Sequence, residues 1–141
     1  MDRESQLRDV IKEITQDGIF LLKKLICDDD NFGNALIVLT NMTFDLKFVS
    51  DRGDVWCEIL IPYAPPEWFF LEDVITALGL PPVKHSADFS GNMRVVLDLV
   101  KKHKIEIEAA FRPENLQITM QRIQEIVNRR IQSTYGDVQL D

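Results

Sequence analysis

Three consecutive carboxylates, Asp28, Asp29 and Asp30, with two cysteines and two histidines, are the residues of this 141-residue chain whose types could do chemistry. The acidic run invites a calcium loop, with Asp28 and Asp30 at positions one and three and Gly33 at six. Position five would then be Phe32, and position twelve would be Leu39 where a bidentate Glu is required. The calcium reading fails, and the run reads as a solvated acidic loop or a negative patch for a partner. Cys27 and Cys57 form neither a disulfide framework nor a metal-ligand spacing, and Cys57 sits among apolar neighbours where a thiol behaves as a small hydrophobe. His85 and His103 have no cysteine or carboxylate set at ligand spacing, and His85 reads as a loop bystander. No Gly-rich phosphate loop, GxSxG or HExxH is present. The sequence therefore names no catalytic residue, no metal and no cofactor, and the reading is non-enzymatic.

What the carboxylates suggest instead is a surface. The net charge is −7, carried by the first 91 residues, while the last 50 are close to neutral. An acidic body disfavours phosphate backbones, so nucleic acid is not the expected partner. It suits a basic protein. The candidate partner-binding residues are Asp28, Asp29 and Asp30 in the loop, Asp51, Arg52 and Asp54 at a turn, and Asp45, Trp56 and Glu58 on a strand face. The N-terminal residues lack the apolar core of a signal peptide, and no apolar run reaches the ~20 residues of a membrane span. The expected location is the cytoplasm.

The elements that must position these residues follow from hydrophobic period. Residues 5–26 repeat apolar positions at three and four, which predicts a helix capped by Ser5 that either kinks at Asp17-Gly18 or gives way there to a second short helix. From Leu36 to Phe48 the even positions are nearly all apolar, which predicts one long strand over 35–49. A turn at residues 50–53 returns the chain as a second strand, 54–61. A two-residue loop setting Phe48 opposite Val55 is preferred to a three-residue loop with Gly53 in a bulge. In that register Asp45 faces Glu58 across the strands, an unfavourable pair, and Lys47 lies near Trp56. Pro66, the stripe Trp68, Leu71, Ile75 and Leu78, and Gly79 mark a helix, with Trp68 as a core anchor. A further helix runs from about Ser90 to Phe111, although KIEIEAAF also alternates like a strand. The last helix carries Leu116, Met120, Ile123, Val127 and Ile131 and ends near Tyr135. The expected fold is a single α+β domain over 1–141: an N-terminal helix, a long antiparallel hairpin, then three helices on the sheet's apolar face. Two strands alone are marginal in water, so a further strand or a second chain is expected to extend the sheet.

An N-terminal helix, an NFGNALIVL entry, an LKFVSDRG hairpin and a PEWFFLEDVITALG segment together resemble small bacterial immunity or antitoxin proteins, α+β chains that accompany polymorphic toxins. The resemblance implies stoichiometric inhibition of a basic toxin domain by an acidic surface, without a cofactor, and carries over no individual residue. Two other readings stand beside it. One is a self-associating module that dimerises through its C-terminal helical hairpin. The other is a small-ligand or enzyme domain with a pocket between sheet and helices.

Overall fold

The computed structural model describes residues 2–28, 34–61 and 66–135. Helix α1, Arg3–Ile14, is followed by five strands: β1 (Leu21–Asp28), β2 (Asn34–Thr40), β3 (Asp45–Asp51), β4 (Asp54–Ile61) and β5 (Glu67–Phe70). Four helices follow among the described residues: α2 (Leu71–Ala77), α3 (Phe89–Lys102), α4 (Lys104–Ala110) and α5 (Pro113–Tyr135). The strands form one antiparallel meander in the order β1-β2-β3-β4-β5. The α+β class, the N-terminal helix and the helical cover of the sheet are as the sequence predicts. The extra strands come from 21–28 and 67–70, and KIEIEAAF is helical.

The long helix over 5–26 is a helix and a strand. Asp2, not Ser5, caps α1, its carboxylate accepting from the Ser5 N–H at 2.7 Å. The helix stops at Ile14, whose carbonyl accepts from Lys101 Nζ at 2.9 Å. Gly18 then turns the chain at φ +75°, a conformation glycine adopts without strain. Beyond it, apolar spacing that fits a helix also fits an edge strand, and pairing with β2 decides between them.

The single strand over 35–49 is two strands joined at 41–44. Met42 there adopts φ +75°. The Asn41 side-chain oxygen accepts from the backbone N–H groups of Thr43 and Phe44, at 3.0 and 2.9 Å. That loop switches the parity of burial. Ala35, Ile37 and Leu39 point into the core from β2, and Phe44, Leu46 and Phe48 from the following segment. Apolar residues on both faces of β2 hid the switch, so the even-numbered pattern looked continuous.

Between β3 and β4 the loop is Arg52-Gly53, both at positive φ (52° and 89°), as a two-residue hairpin turn of the primed type requires. It pairs Asp51 with Asp54, Phe48 with Cys57 and Leu46 with Ile59. Neither sequence-derived register is this one. The preferred register had the right faces and was displaced by two residues along β4. EWFF, expected to lie in the opening of a helix, is β5, paired with 58–61, and the helix begins only at Leu71. The helix over 90–111 is α3 and α4, divided at His103, so four helices follow the sheet rather than three.

One continuous core joins the layers. Leu7 and Ile11 of α1, Val74 of α2, Met93 and Val96 of α3, Ile107 of α4 and Ile123 of α5 meet the inner faces of β2, β3 and β4. No described helix is long and apolar enough to cross a membrane.

Candidate functional site: the open face of the sheet

The helices contribute to the core on one side of the sheet, and the alternate residues of each strand lie on the other, where Arg130 of α5 reaches over the Phe70 ring at 5.1 Å. Cross-strand neighbours define this second face: Ile26 opposite Leu36, Val38 opposite Lys47, Lys47 opposite Glu58, and Glu58 opposite Phe70. The true register removes the repulsion expected between Asp45 and Glu58. Asp45 is opposite Leu60, and its carboxylate pairs with Lys23 Nζ at 2.7 Å.

At the centre, four side chains from β3, β4 and β5 interlock. Trp56 Nε1 donates to Glu58 Oε2 at 2.9 Å, and Glu58 Oε1 lies 3.5 Å from Lys47 Nζ. The same ammonium sits 4.3 Å from the centroid of the Trp68 ring, a cation–π contact. Lys47 was expected near Trp56, and Trp68 was expected in the core; both follow from the displaced register and the misplaced helix start. The Lys47 and Glu58 side chains are only 20% and 21% exposed, so their mutual attraction is less screened than that of a surface pair. Beside this group is a depression of about 390 Å³, walled by Lys24, Leu36, Val38, Leu60 and Trp68.

Acidic groups gather at one end of the same sheet. Asp51 and Asp54 flank the turn directly opposite each other, an arrangement that raises the local negative potential. The Arg52 backbone N–H donates to Asn34 Oδ1 at 2.9 Å, and Asn34 pairs with Asp28. Asp28, Asp51, Arg52 and Asp54 are thus brought to one end, while Trp56 and Glu58 lie on the adjoining face. Asp45 stands at the far end, buried and paired. Asp29 and Asp30 lie outside the described residues.

A second concavity, about 260 Å³, opens beside β4 where β5 leaves it. Val55, Cys57, Leu71 and Val83 supply apolar wall, and Glu72, Asp73, His85 and Arg130 are its polar groups. Asp73 is buried and accepts from Arg130 Nε and Nη2 at 3.2 and 3.0 Å. Those bonds hold the guanidinium above its ordinary pKa. His85 is no bystander. Its Nε2 meets the Glu72 carboxylate, and its Nδ1 faces Asn92 Oδ1 at 3.1 Å. Asn92 is seven residues from His85, but only the packing of α5 on α2 brings Arg130 to Asp73, 57 residues away. Burial pushes the Cys57 thiol far up, so it is a poor nucleophile. Among the described residues no cluster of His, Cys, Asp and Glu is arranged to hold a metal ion.

The chain matches no protein-family model, and the searches found no significant match among curated proteins or solved structures.

Proposed function

We propose that this chain is a protein-binding module whose contact surface is the open face of the sheet together with its acidic end. The observation that carries the reading is the one-sided helical cover, which leaves the Trp56, Glu58, Lys47 and Trp68 group on the uncovered side. Tryptophans held rigid by neighbouring polar groups are the residue type that dominates binding energy in protein interfaces. The carboxylates at the adjoining end add attraction for a basic partner and speed its encounter.

Within that class the immunity-type reading is the more specific proposal: a cytoplasmic inhibitor that occupies a basic toxin domain one to one. It draws support from the resemblance and from the net charge of −7. Titration calorimetry of the purified chain against a toxin domain encoded beside its gene tests it, with survival of cells co-expressing the two as the second readout. One-to-one binding that weakens with added salt is the expected result. No binding and no protection would reject that partner.

The concavity beside β4 favours a second reading, a small-ligand site. At about 260 Å³ it is somewhat smaller than the ~300–1,000 Å³ usual for such sites, so the open face carries the main proposal.

A further inference from the structure

Exposed large apolar side chains concentrate on one strand. Ile19, Leu21, Leu22 and Ile26 are between 38% and 54% exposed, and they lie along β1 or immediately before it. Among the described residues β1 is an edge of the sheet, paired with β2 alone. Edge strands are ordinarily kept from further pairing by bulges and lysines. β1 has both at its start, where the register shifts between Leu22 and Lys24. From 24 to 28 the strand is regular, running opposite 38 to 34 without interruption.

The hydrogen-bonding direction of this regular stretch follows from the next hairpin. The Asn41 N–H donates to the Phe44 carbonyl, so the alternation of an antiparallel ladder turns odd residues of β2 toward β3 and even ones toward β1. Lys24 and Ile26, opposite Val38 and Leu36, therefore bond inward to β2. The backbone of Leu25 turns to the outer edge. Lys24, Ile26 and Asp28 share the open face of the sheet.

We propose that a second copy of this chain adds to that edge, pairing antiparallel over 24–28 about a two-fold axis at Ile26. Such a contact is isologous, so its residues must complement themselves. In this register Ile26 meets Ile26 of the second copy in a close pair without ladder bonds, and Leu25 meets residue 27 in a hydrogen-bonding position. Lys24 of each chain stands opposite Asp28 of the other, which gives two symmetric charge pairs. A centre at Leu25 would instead set Lys24 opposite Ile26 and lose both. The product is one ten-stranded sheet in which the two open faces lie side by side. This inference does not depend on what the open face binds.

Light scattering from micromolar to millimolar concentration, joined to a crosslinking arm, tests it. The chain should approach twice its 16.3 kDa. The Ile26→Cys variant should form a covalent dimer under mild oxidation, because directly opposed residues of this kind lie within disulfide reach. The unaltered chain and Ile105→Cys, a control at a site 77% exposed, should not. Lys24→Glu should weaken association at least tenfold, and Lys24→Glu with Asp28→Lys should restore it, circular dichroism confirming the fold of each. A monomer at every concentration overturns the proposal. So does a dimer that neither crosslinks through residue 26 nor regains strength in the charge swap. Should Lys24→Glu fail to fold, the crosslinking arm still decides.

Discussion

At the residue scale, the groups that looked most chemical in the sequence are mostly held by packing. Cys57 is 5% exposed, and burial raises its thiol far out of the reactive range. A Cys27→Ser chain, which keeps Cys57 as its one thiol, is expected to resist a thiol reagent until denaturant is added. Fast labelling of the folded chain would contradict this. Asp17 gives a prediction with a definite sign. Its hydrogen bond from Lys101, at 2.7 Å, lowers its pKa from 3.8. The stabilisation is therefore present above about pH 3.8 and is lost as pH falls through the lower folded value. Asp17→Asn should be less stable than the natural chain at neutral pH, and the two stability curves should converge in acid. The carboxylate is 43% exposed, so the difference should stay below about 1 kcal/mol. Arg130 is a larger case, because removing it leaves the buried Asp73 carboxylate without its guanidinium. Arg130→Ala should cost about 1–3 kcal/mol in denaturant melts.

At the scale of elements, the two hairpin loops that carry positive φ, at Met42 and at Arg52-Gly53, set the sheet. Met42 is 87% exposed at φ +75°, and its side chain does little to offset that conformation. Met42→Gly should stabilise the chain by about 1 kcal/mol, read as a rise of a few degrees in the melting temperature. Gly53→Ala, at φ +89°, should move it the other way. These loops also show why the fold was only partly legible. The alternation over 45–61 was readable because each strand buries one face. The Asp51, Arg52, Asp54 turn was readable because Gly53 marks it. Over 35–40 both faces are largely covered, so period-2 information vanishes and the parity switch at 41–44 leaves no trace. Over 21–28 the strand lies at an edge, and its exposed leucines fall by coincidence at helical spacing. PEWF misled because a proline before aromatic residues opens a strand as readily as a helix. Of the site, Trp56 and Glu58 were found on the correct face. Lys47 was placed beside the wrong tryptophan, since Trp68 reaches it only once β5 exists.

At the scale of the whole molecule, a five-stranded sheet has its helical core on one side and, on the other, a face closed mostly by its own side chains. That face presents two tryptophans locked by a lysine and a glutamate, and an acidic end. It is on this arrangement that the proposed role in recognition rests. Charge and aromatic surface lie on rigid strands, so little conformational freedom is lost when a partner binds. Hydrogen exchange of the chain, alone and bound to a toxin domain of the kind the proposed function calls for, tests this most directly. The account predicts slowed exchange over 45–60 and 67–70 in the complex, with α3 and α5 unchanged. Protection confined to α3 and α5, with the sheet exchanging as in the free chain, would contradict it.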